Sequence, residues 1–234
     1  GSGKFFTRAS NGKYELDVAE LKSAFLLSET YIERMRKFRE DRISKIIADE
    51  LPATLLPGAK MTFQLIPLKS FEPDGILEID KPEYDVKSLA PLGGGSRTYE
   101  YNFDGIVILS NPPAQIESNA YIQIYRNGII ESVDSDIVRP TLLTNKKVLP
   151  SLNGDIDFEE RIIRCFRDCL DLYKKMDMEV PVFAFLSFTG MKGYFLGTNK
   201  INSTSIFNKK EHLDRNELLL PEIIIEDLNV NEKV

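Results

Sequence analysis

Cysteine and histidine are almost missing from this chain of 234 residues, which holds two of the first, Cys165 and Cys169, and one of the second, His212. Two cysteines are too few for a disulfide framework in a chain of this size. On a helix, thiols four residues apart bring their Cα atoms to about 6 Å, within bridging range, but helical Cβ directions suit the bridge poorly. Both are therefore expected as free thiols. A metal site needs more ligands than this, and His212 lies far along the chain, so neither a metal nor another cofactor is expected. Ser-His-Asp hydrolysis also needs a histidine, and His212 sits in the polar stretch 208–216 with no nucleophile elbow around it, as a solvated loop residue would.

Long apolar runs are lacking too. No stretch of 18 or more apolar residues occurs, which excludes a transmembrane helix of that kind. No charged start leads into an apolar stretch and a small-residue cleavage site, so a secretory signal is not expected and the cytoplasm is the expected compartment. An excess of positive charge is also missing: 30 Lys and Arg against 36 Asp and Glu leave a net charge of −6, which counts against non-specific DNA or RNA binding. Gly1-Ser2-Gly3 reads as a cloning remnant with no part in the fold. What is present is ordinary globular composition, 42% apolar and 28% charged, enough for one domain or two small ones.

Asn11-Gly12 between short β-prone flanks predicts a hairpin over residues 5–16. Asp17 and Glu20 fit a capping box, with Leu16 and Leu21 as its staple, and open a helix carrying Leu21, Phe25 and Leu26 inward. Thr30 and Glu33 repeat the pattern and predict a second helix with Ile32, Met35, Phe38, Ile43, Ile46 and Ile47 on its apolar stripe, closed by Pro52 and Pro57-Gly58. Strands are predicted over 61–68 and 101–110, with a long excursion over 69–99 that holds one short strand at 76–79. Asn127-Gly128 joins the best hairpin of the chain, 120–126 with 129–133. Asp157 and Glu160 open a further helix with Ile162, Ile163, Phe166, Leu170 and Tyr173 on one face. Residues 181–188 are apolar on both faces and predict a central, doubly covered strand; 218–226 reads as an edge strand interrupted at Pro221. The expected fold is α+β, a mixed, mainly antiparallel sheet packed by two or three helices. Residues 17–57 read as a helical connector, 58–226 as the α+β domain and 227–234 as a frayed tail.

Few constellations carry chemistry. Gly93-Gly94-Gly95-Ser96-Arg97 could cradle an anion, but a phosphate loop leads into a helix and here a strand follows. Glu131, Asp134 and Asp136, with Asp104 from another strand, are the carboxylates a metal-dependent nuclease would use. Without a lysine at a diagnostic spacing they read as hairpin-end and surface charges. Lys192, between two glycines, is a turn lysine that could touch an anionic ligand. Arg34, Arg36, Lys37, Arg39, Arg42 and Lys45 form a basic stripe on the predicted second helix, able to meet phosphates or an acidic protein surface.

The run Phe6-Thr7-Arg8-Ala9-Ser10-Asn11-Gly12 followed by Leu16-Asp17-Val18-Ala19-Glu20-Leu21 resembles the end of the Schlafen-type, Alba-like DNA-binding domain of bacterial proteins. In that family a last strand with an aromatic-x-Arg pattern leads into a helix. Asn102-Phe103-Asp104-Gly105, the run from Tyr121 to Gly128 and the run from Leu219 to Ile224 resemble the region that often follows it. The resemblance implies that residues 1–16 are a remnant of the preceding domain and that an N-terminal Schlafen-type effector is the partner in cis. It further implies anti-phage defence, with this chain as a sensor or regulatory module and a phage protein as its ligand; homo-oligomers stay open. None of its motifs carries a catalytic residue to this chain. A recognition domain with the 69–99 excursion and the basic helix as its contact surfaces is thus the leading expectation, ahead of a nucleic-acid-binding accessory domain and a metal-dependent nuclease.

Overall fold

The computed structural model describes residues 6–9, 12–15, 17–73, 75–79, 81–92, 94, 97–110, 117–140, 147–149, 158–196 and 212–229. The chain divides into two compact units, Gly1–Ile43 and Ser44–Val234. In the first, β1 (Phe6–Ala9) and β2 (Gly12–Glu15) pair antiparallel as the predicted hairpin, but Ala9 pairs with Gly12, which places Gly12 in the strand and not in the turn. Ser10, Asn11 and the predicted staple residue Leu16 lie outside the described residues. Helix α1 (Val18–Ile47) starts on the predicted capping box: the Glu20 amide donates to Asp17 Oδ1 at 2.8 Å and the Asp17 amide to Glu20 Oε2 at 2.9 Å.

The second helix predicted at Thr30 does not exist separately. Thr30 lies inside α1, and its hydroxyl donates back to the Leu26 carbonyl at 3.0 Å instead of capping a new start. No glycine or proline separates the two predicted helices, so nothing interrupts the ladder. Met35, Ile43 and Ile46 are buried, Ile32 and Phe38 half-buried, while Ile47 and Leu26 are exposed, against expectation. The helix ends at Ile47, short of Pro52, and Asp49 takes a left-handed backbone just beyond it.

The second unit is built on one antiparallel sheet. Its strands are β3 (Lys60–Pro67), β4 (Arg97–Tyr101), β5 (Gly105–Ser110), β6 (Ala120–Tyr125), β7 (Ile130–Asp134), β9 (Val182–Thr189), β11 (Leu218–Leu219) and β12 (Ile223–Ile225). They are ordered β11-β9-β3-β7-β6-β5-β4, and β12 also pairs with β9. A separate parallel pair joins β8 (Val148–Leu149) to β10 (Phe195–Leu196). With helix α2 (Phe158–Lys175) and three short 3-10 turns in the long excursion, the fold is α+β as expected.

Three strand predictions need correction. Residues 101–110 are not one strand: Tyr101 ends β4, and Asn102-Phe103-Asp104-Gly105 is a tight turn into β5. The Asn102 side chain accepts the Gly105 amide at 2.8 Å, and a Cβ on Gly105 would fall 2.0 Å from the Ile124 carbonyl oxygen, so only glycine fits there. Residues 76–79 form no strand; Leu77 makes a single backbone bond to Arg126 and Ile76 is exposed. Residues 181–188 make an interior strand but not the central one, because two short terminal strands, split by Pro221 as predicted, pair with its outer edge.

Alternation along the strands sorts the sheet into two faces. Met61, Phe63 and Leu65 of β3, Ile122 and Ile124 of β6 and Ile106 and Ile108 of β5 share the first. Helix α2 covers that face with Cys165, Cys169, Leu170 and Tyr173, and residues 79–92 add Ile79, Val86, Leu89 and Leu92. Phe166 meets Phe63 edge-on with ring centres 6.2 Å apart, and the Tyr173 hydroxyl donates to the carbonyls of Leu65 and Gly128. Ile163, expected inward, is 42% exposed because the buried stripe is centred on Cys169. Asp157, the predicted cap of α2, lies outside the described residues.

Candidate functional site

The second face of the same sheet is buried and mixed, with polar side chains set among Ile66, Val107, Val133 and Phe185. Thr62 and Gln64 of β3, Gln123 of β6, Glu131 of β7 and Ser187 of β9 lie on it at 0–1% exposure, with Tyr121 among them. A carboxylate in such a place needs donors, since desolvation is costly. The Tyr121 hydroxyl donates to Glu131 Oε1 at 2.8 Å and Gln64 Nε2 to Oε2 at 3.0 Å. Gln123 is held in turn by Asn102, whose amide donates to it at 2.7 Å. Thr62 Oγ1 and Gln64 Oε1 make no hydrogen bond.

Asp134 stands three residues beyond Glu131 and therefore on the opposite face. Its Oδ1 accepts the amides of Asp136 at 2.8 Å and Ile137 at 2.6 Å, closing the turn after β7, while Oδ2 has no partner. Burial pushes this carboxyl up to about 7, against the two amides, which pull it down. Asp104 is exposed in the tight turn between β4 and β5. The carboxylates that a nuclease would need together are thus spread over two faces and a hairpin tip. Among the described residues no group of three or more His, Cys, Asp or Glu side chains is placed to hold a metal ion.

A cleft of about 250 Å³ opens at one end of β3 and β9, lined by Ile47, Asp49, Lys60, Thr189, Asn216 and Glu217 among others. Its buried cation is engaged, with Lys60 Nζ 2.7 Å from Asp49 Oδ1. Nothing in the sequence pointed to it, because the pair joins a strand start to a left-handed residue eleven positions earlier.

The exposed chemistry collects where the excursion returns to the sheet. Strand β4 is an edge strand, and all five of its residues are exposed. Tyr99 and Tyr101 meet edge-on at 6.2 Å, and Phe103, 96% exposed, follows at the hairpin tip. Lys87, carried by the 3-10 turn Val86–Ser88, places its Nζ 4.2 Å from the centre of the Tyr99 ring and 5.8 Å from that of Tyr101. It also donates to the Tyr99 hydroxyl at 3.2 Å, the leading reason that its ammonium is held above the usual lysine range. Arg97 opens β4 and donates to the Ser88 carbonyl, tying the strand to the same turn. The 69–99 excursion and Arg97 were expected to make contacts, but the grouping of Lys87 with Tyr99, Tyr101 and Phe103 was not read from the sequence. The alternation Tyr99, Tyr101, Phe103 was its one signal, hidden by reading 101–110 as a single strand.

Of the other sequence-predicted contacts, Arg34, Arg36 and Lys37 are exposed on α1 and Arg39 and Arg42 half-buried, in the first unit, with Arg34 over the Tyr31 ring at 5.8 Å. Lys45 is exposed in the last turn of the helix, which belongs to the second unit. Lys192 is an exposed turn residue. In the glycine run, Gly93, Gly95 and Ser96 lie outside the described residues, and the Gly94 carbonyl accepts the Ser110 hydroxyl. Cys165 and Cys169 are free and buried. His212 is exposed, its ring against Phe195 at 3.9 Å. Among the described residues no helix is long and apolar enough to cross a membrane. No family model, curated protein or solved structure matches this chain.

Proposed function

We propose that this chain is a non-catalytic recognition domain that reads a protein ligand at the β4 edge and the 69–99 excursion. The observation that carries this reading is the exposed cluster of Lys87, Tyr99, Tyr101 and Phe103. Aromatic side chains grouped at the surface are what protein interfaces concentrate, because they bury much area for little lost rotamer freedom. The opening motifs supply the wider setting: a regulatory module of a cytoplasmic, bacterial Schlafen-like defence protein, acting on an N-terminal effector. That setting is drawn from the sequence resemblance alone.

The test has two arms. Tyr99→Ser with Tyr101→Ser in the full-length protein is expected to abolish protection in a phage challenge while the melting temperature stays at the parent value. Unchanged protection would remove the β4 edge from the reading. Incubated with DNA or RNA and Mg²⁺ or Mn²⁺, the isolated chain is expected to leave both intact. Cleavage that Asp134→Asn or Asp136→Asn eliminates would replace recognition by catalysis.

A further inference from the structure

Beyond a surface for recognition, β4 offers a particular kind of contact. Its inner side pairs with β5, and among the described residues no strand pairs with its outer side. The pairing phase follows from the turn. The Asn102 amide donates to the Gly105 carbonyl at 3.0 Å, so 102 and 105 are a hydrogen-bonded pair. Antiparallel pairs alternate, which makes 100 with 107 and 98 with 109 bonded pairs and leaves the backbone groups of Arg97, Tyr99 and Tyr101 directed outward. Such a row is a template for another strand unless it is blunted by shortness, charge, proline or a bulge, and β4 itself carries one charge of each sign, Arg97 and Glu100. Strand β4 is five residues long and contains no proline.

The same three residues put their side chains on the first face, beside Lys87. An incoming strand would therefore meet Arg97, the two tyrosine rings and the Lys87 ammonium on that face, a positive and aromatic border. We propose that the β4 edge accepts an extended, acidic segment of a partner protein as an added strand, with its carboxylates at alternate positions toward Lys87 and Arg97. This rests on the recognition reading and names the class of ligand. A second copy of the chain fits less well. A two-fold axis through Tyr99 would pair Tyr99 with its equivalent and bring the two Lys87 ammonium groups onto neighbouring rings, where like charges repel.

The test uses the full chain and two synthetic seven-residue peptides, alternating valine with glutamate or valine with lysine. The glutamate peptide is expected to bind saturably, to protect the amides of Arg97, Tyr99 and Tyr101 from hydrogen exchange, and to bind better than its lysine twin. Lys87→Glu is expected to weaken it about fivefold, the size of an exposed charge reversal. Tyr99→Val keeps the outward amide and Tyr99→Pro removes it, so a larger loss with proline identifies strand addition. Equal binding of both peptides, binding without amide protection, or no binding would each overturn the proposal. So would edge amides that become protected with rising protein concentration and no peptide, which would make a second copy the occupant. If the peptides fail while Tyr99→Ser with Tyr101→Ser still abolishes phage protection, recognition stands and the acidic strand falls.

Discussion

The two faces of the main sheet are made by the same strands and are equally buried, yet they hold together differently. On the first face Met61, Phe63, Leu65, Ile106, Ile108 and Ile122 belong to one apolar cluster with α2 and residues 79–92. On the second, Gln64, Tyr121, Gln123 and Glu131 are just as inaccessible and depend on hydrogen bonds at 2.7–3.3 Å. Trimming a buried apolar side chain leaves a cavity, whereas a buried polar atom without a partner costs its full desolvation. Polar alternation in a strand is therefore no guide to solvent.

The largest expected effect lies on the apolar face. Phe63→Ala removes a ring that packs against Phe166 and should cost about 3–5 kcal/mol in urea unfolding. Phe185→Ala makes the same deletion on the second face, one strand away. A Phe185 variant that melts like the parent would show the polar face to be loosely packed and break the comparison.

Asp134 is a buried carboxyl on the apolar face, and pH isolates it. Its carboxyl is raised from 3.8 to about 7 on folding, so the folded chain binds this proton more tightly than the unfolded one. The stability it contributes is full below about 4 and is lost as pH rises through about 7. Asp134→Asn keeps an acceptor for the amides of Asp136 and Ile137 but removes the titration. Relative to wild type it should gain stability between pH 4 and pH 8, by up to about 4 kcal/mol for a three-unit shift. Melts of the two proteins that track each other in parallel across this range would show that the carboxyl titrates normally.

The smallest effect sharpens the comparison from the other side. Thr62 Oγ1 is buried and has no hydrogen bond, so Thr62→Val discards a hydroxyl that was desolvated without return. It should stabilise the chain by about 1 kcal/mol. A clear loss of stability would mean that the hydroxyl is satisfied within the fold.

Much of the fold was legible from local chemistry. The two hairpins expected around Gly12 and Gly128 formed, and Asp17 with Glu20 started α1, because these choices concern only a few neighbouring atoms. Thr30 misled because its hydroxyl can cap a helix or bond back within one, and an unbroken helix-compatible run decided for the second. The candidate site was largely illegible. Lys87 and Tyr99 are twelve positions apart in a stretch without periodicity, and only the return of the excursion onto the sheet sets the ammonium on the ring.

The sequence by itself determined the α+β class, the interrupted terminal strand and the free thiols, since spacing, turn residues and composition are local or summed properties. Only the tertiary structure decided strand order, which polar residues are buried, and which edge stays open. Those depend on which distant segment comes to lie beside each strand. Gln64 and Glu131 are 67 residues apart, and their hydrogen bond follows from the pairing of β3 with β7 rather than from anything written at either position.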